Sequence, residues 1–133
     1  MAGTIDDILE KRRSKEAVKE APEEGDKFYS ILVGEGSQEN FLELRFSNGL
    51  CTCFSYTDLM WFNHDPESGC LDLAFGGFLI TIKGRGLMPL FHGIKQKRVG
   101  WVREADAELQ DHQGNSCFIE EIGVTPPKDF EEE

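Results

Sequence analysis

The chain has 133 residues and carries 14 basic against 25 acidic side chains, for a formal net charge of −11. A single domain of that length can bury its own core without metal or disulfide staples, and no apolar run approaches the roughly 18 residues that a membrane-spanning helix requires. The four cysteines (Cys51, Cys53, Cys70 and Cys117) match no C-x-x-C zinc or redox spacing, and the opening M-A-G-T-I-D-D lacks the basic flank and apolar stretch of a secretion signal. Reduced thiols in a cytoplasm are therefore expected.

In chain order, residues 1–27 form an N-terminal arm. Thr4 stands three places ahead of Asp7, a weak cap signal, and Ile5, Ile8 and Leu9 supply one apolar turn before a long charged run. The composition fits a short docked helix or a disordered segment. Lys27 to Val33 reads as a first strand, followed by the polar loop G-E-G-S-Q-E-N. Phe41–Phe46 and Leu50–Tyr56 then flank Ser47-Asn48-Gly49, and Asn-Gly is the preferred pair of a two-residue type I′ turn. With Asn48-Gly49 as the loop, Phe46 faces Cys51 and Leu44 faces Cys53, so both thiols are expected on the buried side with Leu42 and Leu44. Leu59–His64 is a further strand, closed by the dense turn signal D-P-E-S-G.

The segment Cys70–Arg103 has the strongest pattern. Leu71–Phe75 and Phe78–Lys83 alternate on either side of Gly76-Gly77, which predicts a tight hairpin pairing Phe75 with Phe78, Leu73 with Ile80 and Leu71 with Ile82. All six side chains then share one face, leaving Asp72, Ala74, Leu79, Thr81 and Lys83 on the other. Leu87, Leu90, Phe91 and Ile94 fall at i, i+3, i+4 and i+7, one apolar helical stripe, with Pro89 in its first turn and Lys95, Lys97 and Arg98 at its far end. Val99–Arg103 returns to alternation as a last strand.

These elements predict an α+β fold: a curled or barrel-like antiparallel meander of five to six strands, one short helix near 87–97, and disordered or loosely held termini. Residues 28–104 form the globular domain. Residues 105–133 form an acidic segment with a possible edge strand at 117–124 before a disordered tail. From residue 104 onward ten acidic residues meet one basic residue, whereas Lys83–Arg103 holds six basic residues and no acidic one.

Several groupings suggest chemistry, and each has a plainer reading. Gly84-Arg85-Gly86 follows a strand and opens a helix, where backbone amides can hold an anion. It is a partial dinucleotide fingerprint only, because Pro89 stands where the third glycine belongs, although Glu104 lies at the distance of a ribose-binding acid. A plain turn outweighs it. Lys83, Arg85, Lys95, Lys97 and Arg98, with Phe91 and Trp101 nearby, superficially suit an anion or RNA surface. Helix termination, core-facing positions for the two aromatics and the chain's own acidic tail argue the other way. Cys51, Cys53, Cys70 and His64 include metal-ligand types without a zinc spacing, and small buried hydrophobes are the better account. His64, His92 and His112 have no neighbouring nucleophile.

Trp61 and Phe62 are adjacent, so a strand turns them to opposite faces, and with Phe41, Phe54 and Tyr56 on the less apolar side of the Asn48-Gly49 hairpin they are expected to form a second hydrophobic surface, covered by a partner or else by the N-terminal segment or the helix. The reading is a non-catalytic cytoplasmic interaction or assembly module, self-associating or binding another protein. It has no cofactor, no metal and no membrane association, and nucleic acid is disfavoured. The alternative is a binding module for an anionic ligand or RNA through the basic 83–103 segment.

Overall fold

The computed structural model describes residues 24–34, 36–107, 109 and 116–128. Most of the expected N-terminal arm and the end of the acidic tail lie outside these. Among the described residues the chain forms β1 (Glu24–Asp26), β2 (Tyr29–Ile31), β3 (Phe41–Arg45), β4 (Cys51–Ser55), a 3-10 turn (Tyr56–Asp58), β5 (Leu59–Asp65), β6 (Cys70–Phe75), β7 (Phe78–Arg85), α1 (Met88–Lys95), β8 (Val99–Arg103) and β9 (Phe118–Thr125).

The α+β class stands, but the strands make two separate sheets rather than one meander. The first has the order β1-β2-β8-β3-β4 and the second β5-β6-β7-β9. Neither closes into a barrel. β8 enters the first sheet between β2 and β3, antiparallel to the former and parallel to the latter, with Leu44 beside Val102. A hairpin-only topology cannot produce that parallel pair, which needs the intervening strands and helix as its crossover. The expected first strand, Lys27–Val33, is shorter than predicted. Asp26 pairs with Tyr29 across a tight turn at Lys27-Phe28, and the Phe28 ring is buried edge-on against Phe118 at 5.4 Å.

The β6–β7 hairpin has the predicted register, Phe75 to Phe78, Leu73 to Ile80 and Leu71 to Ile82. Gly76 takes φ +62, the left-handed value that a type II′ turn needs at its first central residue. Leu71, Leu73, Phe75, Ile80 and Ile82 are all buried, and they face Leu42, Leu44, Val99 and Val102 of the first sheet across one continuous core. The Phe54 ring joins the sheets by packing 5.3 Å from Phe75 and 5.5 Å from Phe78. Helix α1 closes one end through Leu90 and Ile94, both fully buried. Gly93 has a packing reason: a Cβ there would stand 2.8 Å from Val99 Cγ2 and 3.2 Å from Ile31 Cδ1, so the helix rests directly on β8 and β2. Close approach offsets the roughly 1 kcal/mol that glycine costs inside a helix.

The β3–β4 hairpin departs from the expected register by one residue. Arg45 faces Cys51, Leu44 faces Thr52 and Glu43 faces Cys53. Its loop has three residues, Ser47-Asn48-Gly49. The Phe46 amide donates to Leu50 O at 2.9 Å, the Gly49 amide donates to Phe46 O at 3.0 Å, and Gly49 sits at φ +93. This is the turn-plus-left-handed-residue arrangement of three-residue hairpins. The Asn48 side chain reinforces it by accepting from the Leu50 amide at 2.9 Å. A one-residue change of register exchanges the two faces of a strand, so Cys51 and Cys53 are exposed instead of buried.

Candidate functional site

Gly84-Arg85-Gly86 precedes α1 as expected, yet its glycines serve the close approach of β9. A Cβ on Gly84 would lie 1.9 Å from Phe118 O, and one on Gly86, which is at φ +66, would lie 2.0 Å from Ser116 O. The Gly84 amide donates to Gly69 O at 2.9 Å, so it is committed to the fold rather than turned towards an anion. The Arg85 guanidinium lies 6.0 Å from the Phe118 ring centroid. A hollow of about 260 Å³ borders this turn, lined by His64, Gly69, Gly84, Arg85, Leu87 and Met88.

Glu104, the other member of the partial fingerprint, is a structural clamp. Its Oε1 accepts from the Ser47 amide at 2.7 Å and its Oε2 from the Ile122 amide at 2.8 Å, while its own amide donates to Arg45 O at 2.9 Å. One carboxylate therefore ties the β3–β4 loop to β9 of the opposite sheet. Spacing in the sequence does not reveal this, because both amides belong to residues remote from it.

The basic side chains do not converge. Lys83 points outward on the second sheet, Arg85 borders the hollow at the start of α1, and Lys95 and Lys97 border another of about 290 Å³ beyond its end. Arg98 lines a broad groove of about 480 Å³ with Ser37, Gln38 and Gln96, and its Nη1 donates to Leu32 O at 3.3 Å. Trp101 does not face the core. It lies on the outward side of the first sheet, where the Arg45 guanidinium stacks over its ring at 4.3 Å and pairs with Glu43 at 3.1 Å.

Phe41, Phe54, Tyr56 and Trp61, expected to share a hydrophobic surface, are likewise divided. Tyr56 is only 3% exposed and its hydroxyl donates to Val99 O at 2.7 Å. Burial, with the Glu39 carboxylate adding to it, pushes its phenol well above the ordinary value. Tyr56 is thus a core residue and is withdrawn from the interface. Phe54 is half-buried between Phe75 and Phe78. Phe41 (54% exposed) and Trp61 (52%) remain outside, on the outward faces of different sheets. The pattern did not single out Met60, which is 69% exposed at a bulge between Leu59 and Trp61 on the edge strand β5. Its position next to Trp61 was the available signal.

The thiols and imidazoles are also apart. Cys51 and Cys53 project from the outward side of β4, Cys117 is buried, and His64 packs on the Phe91 ring at 5.9 Å. Although Cys51 is exposed, partial desolvation and then the Glu43 carboxylate push its thiol above the ordinary value, disfavouring the thiolate that a nucleophile requires. Among the described residues no three His, Cys, Asp or Glu side chains come together as a metal site, and no helix is long and apolar enough to cross a membrane. His112 lies outside the described residues. No family model, curated protein or solved structure matches this chain.

Proposed function

We propose that the chain is a non-catalytic cytoplasmic module that works through protein–protein contact, with self-association as its first form. The observation that supports this is Met60-Trp61, two large, exposed, consecutive side chains on β5, a strand with no neighbour on its outer side among the described residues. Methionine and tryptophan are enriched at the centres of interfaces. The bulge at Met60 interrupts the regular row of backbone groups, which favours contact through the Trp61 face over addition of a strand to the edge. None of the four cysteines is joined in a disulfide, which agrees with a reducing compartment.

Sedimentation velocity and light scattering at high micromolar concentration test the reading. A dimer or larger assembly is expected for the native chain and a monomer for Trp61→Ser. A strict monomer for the native chain removes self-association. The anion or RNA alternative draws less support, because only Lys95 and Lys97 share a hollow, while Lys83, Arg85 and Arg98 open onto other parts of the surface.

A further inference from the structure

Helix α1 ends in a Schellman arrangement: the Lys97 amide donates to Ile94 O at 2.9 Å and the Arg98 amide to Gly93 O at 2.8 Å. The residue at the left-handed position of that motif is ordinarily glycine. Here it is Lys97, at φ 60, the only non-glycine residue with positive φ among the described residues. A lysine kept in that conformation carries a backbone cost that glycine would avoid, and such outliers gather where a side chain is needed for a task.

What Lys97 faces is the hollow of about 290 Å³. Leu59, Phe62 and Ile94 form its apolar floor, and Met60, Lys95 and Lys97 stand at its rim. Its volume is at the small end of ligand pockets, roughly 300–1,000 Å³, and suits one aromatic side chain with its flanking backbone. Neither lysine is paired with a carboxylate among the described residues. The matching occupant has an aromatic group followed by several negative charges.

The chain carries such a segment at residues 129–133, D-F-E-E-E. It also begins close by. Pro127 packs on the β6–β7 turn, since a Cβ on Gly77 would stand 2.9 Å from Pro127 Cβ. The neighbouring Gly76 amide donates to Asp58 O at 2.8 Å, and Asp58 lies between Thr57 and Leu59, which both line the hollow. Phe130 follows Pro127 by three residues, about 10 Å of extended chain, and Glu131–Glu133 reach about 10 Å further, towards the lysines. We infer that the hollow at the end of α1 is a receptor for an acidic, aromatic peptide, and that residues 129–133 of the same chain occupy it. The hollow shares Met60 with the surface proposed for self-association, but not Trp61, which faces outward from the second sheet.

Nuclear Overhauser spectroscopy on the full chain at low salt tests the contact. Cross-peaks are expected between the Phe130 ring and the methyl groups of Leu59 and Ile94, and they should disappear in high salt and in a Lys95→Glu/Lys97→Glu variant. Lys97→Gly is the variant that keeps the fold: it should raise the melting temperature while weakening the Phe130 cross-peaks several-fold. The inference is overturned if the native chain shows no such cross-peaks and the Leu59 and Ile94 amides are unmoved by Phe130→Ala. It is also overturned if the cross-peaks appear only between differently labelled copies, or if Lys97→Gly leaves them at full strength.

Discussion

Two hairpins of this molecule differ in what surrounds them and in the length of their loops. β6 and β7 are interior strands, each paired on both sides, and their loop is the two residues Gly76-Gly77. β4 is paired with β3 alone, and its loop has three residues. In the first hairpin five of the six large side chains of the inner face are enclosed by both sheets, and Phe78 at the turn is half-buried against Phe54. In the second, Leu42 and Leu44 are enclosed on β3, while the edge strand contributes the half-buried Phe54 to the core and turns two cysteines to solvent. The lesson is that stability is concentrated in the interior strands, whereas a single loop residue decides what the edge strand displays.

The largest test of this contrast is a pair of truncations. Leu73→Ala leaves a cavity at the centre of the core and should cost about 2–5 kcal/mol in urea unfolding, while Cys53→Ala on the exposed side of β4 should stay within about 0.5 kcal/mol of the native chain. Equal losses would mean that the two hairpins are not unequal partners. A smaller effect is expected at the loop. Gly49→Ala meets no atom within 4 Å, so its cost is conformational alone, about 1–2 kcal/mol for a left-handed residue. A neutral result would show that the three-residue loop can rearrange. The mildest probe leaves stability untouched: in the folded protein a thiol reagent should label Cys51 and Cys53 but reach Cys117 only on unfolding. Protection of the first two would restore the two-residue register.

The sequence was legible where local pattern and tertiary demand coincide. Gly76-Gly77 lies between two runs whose alternation permits one register, and the i, i+3, i+4, i+7 stripe placed Leu87, Leu90 and Ile94 in the core. Around Asn48-Gly49 the favoured Asn-Gly pair pointed to a two-residue loop, and the loop has three residues instead. What selects the longer one includes the Glu104 carboxylate holding the Ser47 amide, an interaction between residues far apart in the chain. Tyr56 was misplaced for a related reason: the chain leaves strand geometry in the 3-10 turn at Tyr56–Asp58, so alternation no longer reports which way its ring points. The parallel neighbour of β3 left no local trace, and neither did the hollow beyond α1, whose lining comes from the strand after that turn and from the end of the helix.

The pairing of β3 with β8 sets Glu43 beside Trp101 and Arg45 beside Arg103, with four strands, the 3-10 turn and the helix made between them. During synthesis β3 therefore emerges well before the strand that will lie against it, and the later hairpin can assemble while Leu42 and Leu44 still lack their cover. Closing so long a stretch of chain ahead of any reward makes assembly slow relative to a helical bundle of equal size. The last strands to emerge, β8 and then β9, are the ones that commit both sheets to a single shape.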